Sequence, residues 1–436
     1  MMTRAPRQLR RYSTPSFIRN AGLCIRDKPA MKASASKNLS LEGLRGLAAL
    51  AVFSCHFLYV FFPYLARGRT VDQSGFVPLW HWETWFARAP FTLLYNGDFA
   101  VAVFFVLSGY VLTRKFWNNG DVTSLTSGAF KRYPRLIFPA AASIAYALLI
   151  MRLGWMHSGD TPDASFAGWA HDCYRQGQVP GIRGAVNAAF LGALKGDPAT
   201  LALNGPLWTL AIEFWGSIAL FASFALFPRP KVIAAIAFTI WAMIAPTAVY
   251  YMPFVAGALL NEASGWLKRH SAASTVLFAV GLGLGMYDYT GWFNWMTSIV
   301  PGQYYHRAFW YAFGALFTVA GVLGSRPVHA FFGSTIPAYF GRISFSLYLL
   351  HWPTIFSFSI WAVEKYKGTG LAYMPAVWAA YLSSVAALTG LSEVFYRFVD
   401  QPSMRFADIL AKRLLSLHKT RIGASEAVRE GNHAFP

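Results

Sequence analysis

The chain has 436 residues, of which 55% are hydrophobic and 17% aromatic, while Asp, Glu, Lys and Arg together make up 13%, about half the share usual in soluble domains. That balance excludes an ordinary soluble domain and a disordered chain, and it fits a lipid bilayer. The net charge of +19 would suit a nucleic-acid surface, but the basic residues fall in short segments between apolar runs, so they read as topology signals and no nucleic-acid partner is expected. Runs such as Leu47 to Phe62, Phe99 to Leu112 and Val232 to Ala245 must satisfy their backbone groups internally in lipid, which makes them helices. A barrel would need alternation, and Phe104-Phe105-Val106-Leu107 shows none. The predicted fold is all-α and integral to the membrane, a bundle of about ten transmembrane helices of roughly 20 residues each.

In chain order, Met1 to Lys37 is rich in Arg, Lys and Ser, contains a single acidic residue, Asp27, and lacks the apolar core of a secretory signal. Composition alone would also suit a mitochondrial transit peptide, and Met31 offers a second start. Residues 1–38 are expected to form a disordered basic tail, 39–405 the transmembrane domain, and 406–436 a cytoplasmic C-terminal tail. Runs, caps and breakers place spans near 42–63, 92–113, 133–153, 206–228, 232–250, 252–266, 272–290, 307–324, 339–363 and 371–395. The sixth is the shortest. Arg114, Lys115, Lys131, Arg132 and Arg135 follow the second span, and Arg229, Lys231, Lys268, Arg269, Arg326, Lys412 and Arg413 fall at later ends on the same side. The positive-inside rule then puts both termini in the cytoplasm, in a plasma or inner membrane. The opposite side receives the long loop from Leu153 to Gly205, where Asp160, Asp163, Asp172 and Asp197 balance Arg175, Arg183 and Lys195. Cys24, Cys55 and Cys173 fall in different compartments on this topology, so no intramolecular disulfide is expected.

Ionisable groups inside a span are expensive and mark functional candidates. Arg45 and His56 are eleven residues apart in the first span, about three helical turns, which puts them on nearly one face and about 16 Å apart along the axis. Either alone reads equally well as an interface arginine or a hydrogen-bonded interior histidine; together they favour a site. Asp98 opens the second span and suits a helix cap, while Ser108-Gly109 reads chiefly as a helix-packing pair. Lys131, Arg132 and Arg135 lie in KRYPRLIFP, leading into the third span, where two arginines could clamp a phosphate or simply express positive-inside bias. Asn204-Gly205-Pro206 starts a helix that carries Glu213 about two turns in, and a carboxylate at that depth must be paired, protonated or wet. Pairing with His56 or Arg45, or a purely structural pair, are both open. His351-Trp352-Pro353 interrupts the ninth span; Pro353 should free a carbonyl that His351 or water satisfies, so His351 reads first as structural.

Arg45 and His56 with ten residues between them, FFVLSGY at Phe104 to Tyr110, Arg132-x-x-Arg135, WTLAIEF at Trp208 to Phe214, SFSLYLLHWP at Ser344 to Pro353 and YRFVDQP at Tyr396 to Pro402 occur in this order. On these motifs the chain resembles the acyltransferase 3 family of membrane O-acyltransferases, over about Leu39 to Arg405. Asp400 stands where the family usually has glutamate. The resemblance implies transfer of an acyl group, often acetyl, from acyl-CoA to a hydroxyl of a glycan, lipid-linked sugar or metabolite. It implies no tightly bound cofactor and no metal, only acyl-CoA as donor substrate, with membrane lipid as surroundings. Joined to the residue reading, it casts His56 as general base or transient acyl carrier, Glu213 as its orienting carboxylate, Arg45 as a stabiliser of negative charge or a CoA contact, and Arg132 with Arg135 as CoA-phosphate ligands. A multispan transporter of a small polar or anionic substrate is the alternative.

Overall fold

The computed structural model describes residues 38–69, 77–157, 180–244, 247–287, 291–299 and 306–432. The basic N-terminal tail, Cys24, Cys173, and Asp160, Asp163, Asp172 and Arg175 of the long loop lie outside the described residues. Every regular element among the described residues is helical. The principal helices are α1 (Leu39–Phe61), α2 (Gly97–Asn119), α3 (Val122–Arg152), α4 (Trp208–Leu226), α5 (Lys231–Ile244), α6 (Ala248–Arg269), α7 (Ser271–Gly285), α8 (His306–Gly324), α9 (Thr335–Thr354), α10 (Ile360–Gly368), α11 (Tyr373–Phe395) and α12 (Gln401–Asn432).

Helices stand at each of the expected spans, yet seven among the described residues are long and apolar enough to cross a membrane: α1, α2, α3, α4 with its preceding turn, α8, the continuous α9–α10 rod, and the α11–α12 rod. The regions expected near 232–250 and 272–290 are the 14-residue α5 and the 15-residue α7. At 1.5 Å per residue these reach only about 21–22 Å, short of a hydrocarbon core of about 30 Å. The third span also begins earlier than expected. Asp121 caps α3, its side chain accepting from the Thr123 amide at 3.0 Å, so KRYPRLIFP lies inside a 31-residue helix that carries Pro134 and Pro139, not in a lead-in loop.

Lipid tails are as apolar as leucine, so burying leucine against leucine does not itself drive these helices together; close backbone contact and polar partners do. Gly46 and Gly341 let α1 and α9 cross tightly: a Cβ on Gly46 would sit 2.3 Å from the Gly341 nitrogen. A Cβ on Gly109 would meet the Phe254 carbonyl oxygen at 1.9 Å, which fixes α2 against α6. α1 is central. Phe53 and Phe57 face α11 through Tyr381, while Leu44 and Val52 join the α2 and α8 side. Arg45 and His56 stay half-buried, and His56 meets α9. One end of the bundle gathers the start of α1 and the Arg326–Phe332 helix through Ser40 and His329 at 2.9 Å, and the starts of α7 and the same helix through Ser271 and the Arg326 amide at 2.9 Å. At the other end Tyr373 donates to the Phe61 carbonyl at 2.9 Å and Asn96 to that of Gly285 at 2.8 Å. There Glu83 is fully buried and accepts from the Leu79 and Trp80 amides at 3.0 and 2.9 Å. Burial pushes its carboxyl above the usual carboxylate range, and those two amides oppose the shift.

Candidate active site

His56 projects from α1 onto α9. Its Nδ1 lies 2.9 Å from Nε2 of His351, the two rings are nearly parallel at 19°, and the edge of Trp352 closes one side at a centroid distance of 5.0 Å. His351 is fully buried, and its Nδ1 lies 2.6 Å from the Tyr348 carbonyl oxygen. The sequence-based expectation for His351 was to satisfy the carbonyl that Pro353 frees. Proline cannot bond back to residue 349, and the structure fills that vacancy from elsewhere: Asn204 Nδ2 donates to the Leu349 carbonyl at 2.9 Å and to Ser143 Oγ at 3.1 Å. The helix continues as a π turn over Ile355–Ser359. Tyr348 points its hydroxyl at the start of α4, 2.7 Å from Thr209 Oγ1 and 3.1 Å from the Pro206 carbonyl, with Phe104 against its ring. His56, Phe104 and Tyr348 all remain partly accessible although three helices enclose them.

Glu213 is held by residues other than those first proposed for it. Its Oε1 accepts from Ser108 Oγ at 2.8 Å and forms an ion pair with Arg132, whose Nε donates to Ser217 Oγ at 2.7 Å. Ser108, expected to serve packing, is therefore a ligand of the carboxylate, and only Gly109 beside it serves packing. Arg132 is 5% exposed and paired with Glu213 of α4; Arg135 lies three positions on along α3, and the two side chains diverge by about 60° around the helix. Arg135 is exposed, and the charges of Arg132, Arg45, Asp400 and Glu42 act on it. Arg45 lies 3.4 Å from Glu42.

Asp98 does not cap α2. Asn96 does, accepting from the Phe99 amide at 3.0 Å, and Asp98 instead pairs with Arg307 at the start of α8. Arg307 and Tyr348 are not singled out from sequence, and Asn204 is legible only as part of a helix start. Arg307 has a usable signal, an arginine opening an apolar run. The partners of Tyr348 and Asn204 have none, since tyrosine and asparagine at helix level acquire meaning only from what lies opposite.

An acyltransferase domain model, that of the acyltransferase 3 family, matches residues 38–393. The chain is similar to the O-acetyltransferase PaAT-1 of Phomopsis amygdali, with 23% identity over 449 aligned positions that cover 86% of this chain and 84% of the relative. No solved structure matches.

Proposed function

Because this chain belongs to the acyltransferase 3 family and is an acyltransferase, we propose that it moves an acyl group, acetyl in the first instance, from acyl-CoA to a hydroxyl of a carbohydrate or related acceptor. The observation that carries the reading is that Arg45 and His56 share one face of α1, with His56 beside His351 in the bundle and Arg135 within reach of the Arg45 charge. The name of the fungal relative supports O-acetyl transfer. Positive-inside bias supports a cytoplasmic basic end, the side on which acyl-CoA is made.

In this mechanism Arg135 and Arg45 attract the donor phosphates, and the pantetheine arm runs inward past Ser108 and Phe104. Arg132 holds Glu213 and the α3–α4 contact rather than a phosphate. His56 accepts the proton of the acceptor hydroxyl as its oxygen attacks the thioester carbonyl. The carbon–sulfur bond breaks, and the CoA thiolate leaves with the proton returned by His56, so atoms and charge balance. The test is incubation of membranes carrying the full chain with acetyl-CoA labelled in the acetyl group, followed by mass spectrometry of glycans and lipids for gain of one acetyl group. Transfer should appear with the wild type and vanish with His56→Ala in inserted protein. Wild-type transfer undiminished in His56→Ala would overturn the role of His56, and passage of intact substrate without transfer would support a transporter.

A further inference from the structure

We infer that His351 is a positioning residue that fixes the proton of His56 on Nδ1 and so directs the lone pair of Nε2 toward the acceptor. The inference rests on His56 being the base of the reaction proposed above.

One end of the chain of contacts has no choice of proton position. A backbone carbonyl only accepts, so the Tyr348 oxygen, 2.6 Å away, requires a proton on Nδ1 of His351. His351 has no exposed surface, and an imidazolium in such a place would carry a heavy desolvation penalty, so the ring is neutral. A neutral ring with its proton on Nδ1 has a bare Nε2, which accepts. Nε2 lies 2.9 Å from Nδ1 of His56, so Nδ1 of His56 must donate. The neutral base then carries its lone pair on Nε2. When His56 takes the acceptor proton, the positive charge is shared through the same bond with His351 and the helix carbonyl behind it, in the place where triad enzymes use a carboxylate.

The neighbouring geometry argues against a purely structural role. The carbonyl freed by Pro353 is already filled by Asn204, so His351 is not needed to satisfy it. The two imidazole planes lie within 19° of each other with ring centres 5.0 Å apart, which brings one ring nitrogen edge-on to the other at 2.9 Å, where a packing residue would need no such alignment. Glu213, the carboxylate expected to orient His56, is occupied by Ser108 and Arg132, whereas Nε2 of His351 is in hydrogen-bond reach of His56.

The test compares two substitutions in the full chain reconstituted in lipid. His351→Gln keeps an oxygen where Nε2 accepts, whereas His351→Met keeps the volume and loses the acceptor. Nitrogen-15 spectra of labelled histidines should show the His56 resonances, assigned by their loss in His56→Ala, in the Nδ1-protonated form in the wild type and in His351→Gln. In His351→Met they should become a tautomer mixture. With acetyl-CoA as donor, kcat should fall on the order of 100-fold in His351→Met with KM for the donor unchanged, and recover to within about tenfold in His351→Gln, within the range for positioned acid–base groups. A His56 found protonated on Nε2 in the wild type, or His351→Met with unchanged kcat and spectrum, overturns the inference. Should His351→Met not fold, the wild-type and His351→Gln spectra decide it alone. An absence of acyl transfer in the wild type would sink the proposed function and leave the tautomer result standing.

Discussion

The two arginines of α3 illustrate how residues of one type and one motif take different work from the partner each meets. Arg132 is buried against Glu213, so Glu213→Ala leaves a guanidinium without its countercharge and should lower stability by about 3–5 kcal/mol. Replacing both, as Arg132→Met with Glu213→Leu, should restore most of that loss, because a buried pair exchanged for apolar groups is often neutral. Thermal unfolding in detergent reads both. Arg135 should behave in the opposite way. Arg135→Ala should leave the unfolding midpoint in place and raise KM for acyl-CoA by about ten- to a hundredfold, the worth of a charge-assisted hydrogen bond of roughly 1.5–3 kcal/mol. Equal effects of the two arginines on KM would contradict the division of roles. Glu83 supplies a pH dependence. Its folded-state carboxyl titrates above the unfolded one, so between the two values the folded protein holds a proton that the unfolded chain has released. Stability is therefore full below the unfolded value and falls as pH rises through the folded one. Glu83→Gln should flatten that part of the stability–pH curve.

At the level of elements, the apolar runs located the helices, because the membrane demands length and hydropathy that one sequence displays directly. Their ends were less legible: α3 starts at Val122 because Asp121 caps it, and internal prolines that would end a soluble helix are tolerated where neighbours refill the ladder. The candidate site was half legible. Arg45 and His56 stand out because their spacing is local, whereas Asn204 and Leu349 are joined across 145 positions and His56 and His351 across 295, separations that carry no periodic signal. The proline in α9 makes this testable. Asn204→Ala strips the Leu349 carbonyl of its donor, and adding Pro353→Ala returns a backbone N–H that can bond it. The two changes should couple favourably, by about 1 kcal/mol in unfolding free energy, the net worth of one hydrogen bond. Additive losses would mean that Asn204 acts through Ser143 alone. Helix contact admits a similar contrast. Gly109→Leu should prevent assembly of α2 on α6, since even a Cβ meets the Phe254 carbonyl at 1.9 Å, whereas Gly283→Ala, with nothing within 4 Å, should be silent in expression and unfolding assays.

For the whole molecule, the bundle has two unlike ends, and function depends on which one faces the cytoplasm. At one end stand Lys115, Lys131, Arg229, Lys268, Arg326 and Lys412, with Arg45 and Arg135 near them. At the other, the short connections hold Glu83, the aromatic stack of Trp80 on Tyr373, and the turn at Thr369. A negative cytoplasmic leaflet surface attracts basic segments by about 1 kcal/mol per residue, and insertion retains Lys and Arg in short loops on the inner side. In the proposed mechanism the same cations that orient the chain would draw an anionic donor toward Arg45 and Arg135, so that topology and catalysis would draw on one charge distribution. Cys55 is buried, with its Sγ packed against Gly97 of α2, so once Cys24 and Cys173 are replaced by serine, engineered cysteines at the ends are readable. In right-side-out vesicles, a cysteine replacing Thr369 should react with a membrane-impermeant maleimide at once, and one replacing Lys115 only after permeabilisation. The reverse pattern would put Arg45 and Arg135 on the non-cytoplasmic side, away from acyl-CoA, and the proposed donor path would fail even with the family assignment intact.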